Sequence, residues 1–342
     1  MIIPLVFLLL TTVSFLLVRW LIFWLQRSQI FDVPNDRSSH SVPTPRGGGL
    51  AIVVLTLLVV LVYAFINKNW LQCSVFIMMG GIVAWLGWQD DVHSLSPKIR
   101  FLVQIIIAIL TIIFFDYFHF LTIPLIGEVK VGWVGIPLTI FWIVGLTNAY
   151  NFMDGMDGFA GGQALLIAAG WIWISSNGGA LPNQLAFWIG IAIAASTLGF
   201  LPHNWSPASI FMGDVGSTFL GYSFAVLPLL SLPDGGVPVL VGVVLLWAII
   251  LDTGVTFARR ALKHENVLAA HRSHLYQRWL IGGVKSVHVN LIYYGFVLLA
   301  VILLWGWFQK LTIFPALIVI GLPLLWIGLL LLTGKWEHGH KD

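Results

Sequence analysis

Long apolar runs separated by short polar interruptions repeat along the whole chain. A helix that crosses a bilayer needs about 20 mostly apolar residues. Eleven segments approach that length: roughly 2–25, 48–66, 70–88, 100–116, 132–150, 161–177, 185–201, 216–232, 237–258, 288–308 and 312–333. Several contain Gly or Pro, which membrane helices tolerate because neighbouring groups take up the freed backbone hydrogen bonds. The first run has neither a basic leader nor an A-x-A cleavage pattern, so it reads as a span and not as a removable signal. No sequence repeat relates the two halves, and no soluble domain or low-complexity linker interrupts the pattern. The reading is therefore one integral-membrane domain over residues 1–342, all-α, with about eleven transmembrane helices.

The polar interruptions carry the orientation. Of the 17 Lys and Arg, 14 fall on the side reached after the odd-numbered spans, and only Lys68, Lys130 and Lys310 fall on the other. Basic residues accumulate in cytoplasmic loops. This places the N-terminus outside, the C-terminus in the cytoplasm, and cytoplasmic loops at about 26–47, 89–99, 151–160, 202–215 and 259–287.

Composition sharpens the same picture. The chain is 59% hydrophobic and 9% charged, against about 25% charged for a soluble domain. That excludes a water-soluble enzyme and a disordered chain. Aromatic residues at 14% suit belts at two membrane interfaces. One cysteine, Cys73, excludes an intramolecular disulfide and a CxxC metal site. A net charge of +3 would suit nucleic acid, but its placement accounts for it as an orientation signal, so no nucleic-acid partner is expected.

Five polar clusters remain, and all fall in the proposed cytoplasmic loops. They are Asp32-Val-Pro-Asn-Asp-Arg37-Ser-Ser-His40 running on to Arg46-Gly47-Gly48-Gly49; Asp90-Asp91-Val-His93 with Lys98 and Arg100; Asn148-Ala-Tyr-Asn151-Phe-Met-Asp154-Gly-Met-Asp157-Gly158; Asn204 with Phe211-Met-Gly213-Asp214-Val-Gly216-Ser217; and His271-Arg272-Ser-His274-Leu-Tyr276-Gln-Arg278. A shared side argues for one composite site. Carboxylates without thiolates suit Mg²⁺ or Mn²⁺. Carboxylates for a metal beside cations for phosphate are the equipment of phosphoryl transfer. The glycines at 47–49 and 213–216 suggest backbone N–H groups offered to phosphate oxygens at helix starts. Each feature also has a plainer reading: Asp90-Asp91 ending a span, Asn151, Asp154 and Asp157 as helix caps, and Arg259, Arg260 and Lys263 as orientation signal. Asp252, inside the ninth span, is either functional or a structural partner of Arg259-Arg260.

Together the clusters resemble the polyprenyl-phosphate N-acetylhexosamine-1-phosphate transferases. These glycosyltransferases include enzymes that initiate O-antigen, enterobacterial common antigen and teichoic-acid linkage synthesis, and the peptidoglycan phospho-MurNAc-pentapeptide transferase. The resemblance covers about residues 30–280 and is most specific in Asp90-Asp91, 148–158 and 211–217. It implies that undecaprenyl phosphate attacks a UDP-N-acetylhexosamine and UMP leaves, in the bacterial cytoplasmic membrane, with Mg²⁺ as cofactor. It implies Asp214 and Asn151 as metal ligands, with Asp90, Asp91 and Asp214 catalytic. Asp154, Asp157 and Asn148 would bind the nucleotide. His271, Arg272, His274, Lys98 and Arg46 would bind diphosphate or sugar, with Arg37 and His40 as weaker substrate contacts. A homodimer is left open. The fifth cluster reads His-Arg-Ser-His and departs from the His-rich run of the peptidoglycan enzyme. It looks like an O-antigen-initiating subgroup, some of whose members take 6-deoxy sugars such as N-acetylfucosamine or N-acetylquinovosamine. The pattern of membrane CDP-alcohol phosphotransferases begins at Asp154-Gly-Met-Asp157-Gly158 but fails at Gly161-Gly162. A non-enzymatic transporter would place its polar groups near the midplane and not at one surface.

Overall fold

The computed structural model describes residues 2–32, 42–176, 179–181, 183–234, 236–265 and 271–339. Arg37 and His40 lie outside the described residues. Helices dominate: α1 (Ile2–Arg27), α2 (Leu50–Asn67), α3 (Trp70–His93), α4 (Pro97–Phe115), α5 (Gly135–Phe152), α6 (Phe159–Ser175), α7 (Gln184–Asn204), α8 (Gly213–Val226), α9 (Val237–Leu245), α10 (Trp247–Leu262), α11 (Leu275–Ile281), α12 (Ser286–Phe308), α13 (Phe314–Ala316) and α14 (Leu322–Gly339). A π-helical turn, Leu317–Gly321, joins the last two into one run.

Among the described residues eight helical stretches are long and apolar enough to cross a membrane. A ninth is counted if α9 and α10, which meet at a 73° bend, form one crossing. Each of the eleven apolar segments read from the sequence contains helix, but α6 and α8 run only 17 and 14 residues. The reason for the brevity of α8 is position. All its residues are buried, and α2, α3 and α5 pack around it. A helix encased in protein need not match the thickness of the hydrocarbon. By contrast α1, α2, α4, α12 and α14 leave large apolar side chains exposed, among them Leu5, Phe65, Ile113, Ile302 and Leu331. In water such faces would associate; in a bilayer they contact lipid tails.

The all-α expectation needs one amendment. Two short antiparallel ribbons are present. β1 (Phe31–Asp32) pairs with β2 (Thr44–Pro45), with Phe31 opposite Pro45. β3 (Phe120–Ile123) pairs with β4 (Gly127–Lys130), with Leu121 opposite Val129. The second ribbon occupies the one long connection on the side poor in basic residues.

Small residues allow the core helices to approach closely. A side chain at Gly49 would overlap the Cα of Gly216, and one at Gly221 would reach the backbone of Leu146 and Thr147 at 2.7–2.8 Å. These contacts pull the starts of α2 and α8 together and lay α8 against α5.

Candidate active site

The polar clusters meet at one end of the helices. Asp90 and Asp91 occupy the last turn of α3, Arg100 the first turn of α4, and Asp214 the first turn of α8. Arg46 follows β2 just ahead of α2, Asn151 ends α5, and Asp154 and Asp157 lie between α5 and α6.

Asp91 ties the group together. Its side chain is fully buried. It accepts the backbone N–H of Asp214 at 2.8 Å and of Val215 at 3.0 Å, and Arg46 Nε approaches it at 2.7 Å. The first N–H groups of a helix have no partner within it, so the carboxylate from α3 serves as the cap of α8. Gly213 permits this. Its φ of +79° is the left-handed region, and a Cβ there would come within 2.6 Å of Asp91 Oδ2.

Arg46 also donates from Nη2 to Asp214 Oδ1, and Arg100 Nη1 bridges Asp90 Oδ2 and, at 3.1 Å, Asp214 Oδ2. Asp90 Oδ1 accepts the N–H of Leu95 at 2.6 Å. The result is a chain of alternating carboxylates and guanidiniums, Asp91–Arg46–Asp214–Arg100–Asp90. Burial alone would lower the pKa of Arg46, but Asp214 and Asp91 outweigh it and hold the guanidinium above its ordinary value. Asp154, at the rim, is pushed up to about 7 by burial, with Arg46 opposing and Asp214, Asp91 and Asp157 adding to the rise.

The third cluster is docked onto the same end. Asn151 Nδ2 donates to Ser217 Oγ at 2.9 Å. Asp157 Oδ2 accepts the N–H of Ala208 at 3.1 Å. Asn204 Oδ1 accepts the Gly158 N–H at 3.1 Å while its amide donates to Ile210 O. Tyr294 and Asn290 of α12 donate to the carbonyls of Gly158 and Asp157 at 2.6 and 2.9 Å.

Several sequence expectations change. The N–H groups of Gly47, Gly48 and Gly49 are spent on the carbonyls of Phe211 and Met212, and those of Asp214 and Val215 on Asp91. These glycines serve close backbone packing and not a phosphate cradle. Asn148 faces α4: its amide donates to Gln104 Oε1 at 2.6 Å and to Val144 O. Lys98 is exposed and makes no ion pair among the described residues, whereas Arg100 joins the cluster. Residues two apart on a helix point to different faces, so only one of the two can turn inward. Asn290 and Tyr294 lie outside all five polar clusters. They sit in an apolar span more than a hundred residues from the loop they hold, and no local pattern marks them.

In the fifth cluster His271 Nδ1 lies 2.9 Å from Ser273 Oγ. Burial, helped by His274 and Arg260, lowers its pKa to about 4, so the ring is neutral at pH 7. His274 is buried, with Nδ1 turned onto Asp252 at 3.3 Å. Arg272 is partly exposed.

The donor set suits Mg²⁺ in kind: carboxylate and amide oxygens, and four carboxylates against two guanidiniums in the Asp90, Asp91, Asp154, Asp214, Arg46 and Arg100 group. Among the described residues no three acidic or His side chains are grouped to hold an ion.

A multi-pass helical membrane protein with a carboxylate–guanidinium cluster gathered at one end of its helices is the architecture of an integral-membrane phosphotransferase. The chain matches the family model "Glycosyl transferase family 4" over residues 73–232. It is 34% identical over 271 residues to the probable undecaprenyl-phosphate N-acetylglucosaminyl 1-phosphate transferase of Bacillus subtilis, covering 78% of this chain and 74% of that protein. It is 30% identical over 305 residues to a phospho-N-acetylmuramoyl-pentapeptide-transferase of Synechococcus, covering 85% and 86%. A decaprenyl-phosphate N-acetylglucosaminephosphotransferase of Mycolicibacterium smegmatis is 30% identical over 296 residues, covering 76% and 71%. The chain belongs to glycosyl transferase family 4 and is a membrane phosphosugar transferase.

Proposed function

We propose that the protein transfers N-acetylhexosamine-1-phosphate from a UDP-sugar to undecaprenyl phosphate and releases UMP, at the cytoplasmic face of a bacterial inner membrane. The observation that carries this reading is the Asp91–Arg46–Asp214–Arg100–Asp90 chain, which sets two cations among carboxylates at the start of a buried helix. A phosphate with a second pKa near 6 is mostly dianionic at pH 7. The lipid phosphate is thus already a nucleophile, and no Ser or Cys is needed. Its oxygen bonds to the β-phosphorus of the donor, the bond to the UMP oxygen breaks, and UMP leaves with the electron pair.

The residues divide the work. Asp214 and Asn151 would hold Mg²⁺, which when bound neutralises charge building on the diphosphate. Arg46 and Arg100 balance the carboxylates in the free enzyme and face the phosphates of the ternary complex. Asp90 and Asp91 position the lipid phosphate. Asp154 and Asp157 line the nucleotide pocket, and His271 with Arg272 closes on diphosphate or sugar. The basic bias of the loops supports eleven crossings with the N-terminus outside and the C-terminus inside, the broken α9–α10 pair counted as one and α6 and α8 as short crossings.

N-acetylglucosamine is the sugar in the names of two of the relatives, and the His-Arg-Ser-His sequence favours an O-antigen or other surface-polysaccharide initiator, with a 6-deoxy sugar as the second choice, over the peptidoglycan substrate. The test is UMP release by purified protein from a panel of UDP-sugars with undecaprenyl phosphate and Mg²⁺. Release from UDP-N-acetylglucosamine or a 6-deoxy relative is expected. No release from any donor would sink the reading, and release only from UDP-MurNAc-pentapeptide would reassign it.

A further inference from the structure

Away from the carboxylate–guanidinium chain lies a second buried acid. Asp252 of α10 is 1% exposed. Arg259 and Arg260 turn elsewhere: Arg259 Nη2 donates to the Ser273 carbonyl at 2.7 Å, and Arg260 Nη1 lies 3.1 Å from Glu265. Asp252 is met instead by hydroxyl, backbone and imidazole donors from three directions. The Tyr293 hydroxyl of α12 donates to Oδ2 at 2.5 Å. The N–H of Leu275 donates at 2.8 Å and that of Tyr276 at 3.4 Å. His274 Nδ1 and Thr256 Oγ1 stand at 3.3 and 3.4 Å.

Leu275 and Tyr276 open α11, whose first N–H groups need a partner. His274 and Gln277 form a capping box, in which Gln277 Oε1 accepts the His274 N–H at 3.3 Å, and this leaves the N–H groups of Leu275 and Tyr276 to be met from elsewhere. Asp252 provides the cap from another helix. What it fixes is keyed into the site. The Tyr276 hydroxyl donates to the Phe152 carbonyl at 3.0 Å, and a side chain at Gly155 would overlap that same hydroxyl. The Tyr276 ring rests 4.8 Å from that of Phe159, and His274 rests 6.1 Å from Phe152. The start of α11 thus sits against the loop bearing Asp154 and Asp157, with His271 and Arg272 leading directly into it.

We propose that Asp252 is a positioning residue for the transfer reaction. Through the N-terminus of α11 it sets where His271 and Arg272 stand over the donor site, and it touches no substrate itself. The proposal rests on the functional reading above in one respect, that the 271–274 segment contacts the donor.

The test uses full-length protein in detergent micelles with Asp252→Asn, Asp252→Ala and Tyr293→Phe. The first measurement is amide hydrogen exchange of the peptide covering 271–277. In Asp252→Ala, exchange there rises about tenfold or more, from the loss of the hydrogen bonds that Leu275 and Tyr276 make to the carboxyl group. Asp252→Asn gives a smaller rise, because Oδ1 can still accept from Leu275 while Nδ2 faces the Tyr293 hydroxyl, which can rotate to accept. The second measurement is the KM for each substrate. The donor KM rises about tenfold in Asp252→Ala and less in Asp252→Asn, with the lipid phosphate KM unchanged.

Unchanged exchange at 271–277 overturns the anchor. A rise spread over the whole chain makes Asp252 a general stability residue and overturns the positioning role. A local rise with an unchanged donor KM severs the segment from the donor. The exchange arm needs no substrate, so an enzyme inactive on every UDP-sugar would fail the functional reading while the anchor is still judged. Should Asp252→Ala not fold, Asp252→Asn and Tyr293→Phe carry the same comparison.

Discussion

Asp91 and Asp252 use one device in two settings. Each is a buried carboxylate on one helix that caps the N-terminus of another: Asp91 caps α8, and Asp252 caps α11. They differ in their remaining partners. Asp91 takes the guanidinium of Arg46, which is partly exposed and reaches on to Asp214. Asp252 takes a tyrosine hydroxyl and a histidine ring, and its side chain is 1% exposed. A buried charge matched by a half-open cation belongs to a network that can exchange partners with a charged ligand. A buried acid held by a hydroxyl, an imidazole and backbone N–H groups has no guanidinium to hand over to a ligand. The first is the equipment of a reaction centre, and the second is that of a fastening.

The comparison can be broken, and the strongest attempt is on the charged side. Asp214→Ala should reduce UMP release by about a thousandfold or more in protein that still folds; retained activity would remove Asp214 from the site. Asp91→Ala should cost about 3 kcal/mol of stability, because it strips a buried partner from Arg46 and the cap from α8; a melting temperature equal to the parent's would show that the cap is dispensable. Arg100→Ala should lower kcat/KM by about a hundredfold, with Lys98→Ala within about threefold of the parent. Equal losses at the two positions would contradict the inward turn of Arg100. Gly213→Ala places an L-residue at positive φ and should cost about 1–2 kcal/mol, with activity falling as Asp91 is displaced.

The smallest effect concerns pH. His271 is faced by His274, Arg260, Glu265 and Arg259, and its folded pKa of about 4 lies below its ordinary value of 6.5. A lowered folded value means that folding favours the neutral ring. The contribution is complete above about pH 6.5 and is lost as pH falls towards 4. The protection of 271–277, measured as exchange relative to the intrinsic rate at each pH, should therefore fall between pH 6.5 and 4.5, and less so in His271→Gln. An identical pH profile in the variant would remove His271 as the cause.

The chemistry was legible because membrane chains are sparing with charge. Asp90, Asp91, Asp154, Asp157 and Asp214 stand out from apolar runs on either side, and regular alternation assigns them to one face. Arg100 was visible as a charge, but a linear reading preferred Lys98, since which of two near neighbours turns inward depends on helix phase against a distant partner. The glycines at 47–49 and 213 were also visible. Their use was not, because backbone packing and phosphate binding select the same residue. Asn290 and Tyr294 left no signal.

By itself, then, the sequence determined the solvent, the helical class, the side on which the polar groups gather and the kind of chemistry they support. Hydropathy and charge are local properties, and the bilayer reads them directly. Only the tertiary structure decided which acids share a guanidinium, that α8 is short because protein surrounds it, and that Asp252 holds α11 and not its neighbours Arg259 and Arg260. Those are matters of distance between helices remote in sequence, and the packing of small residues at their crossings sets them.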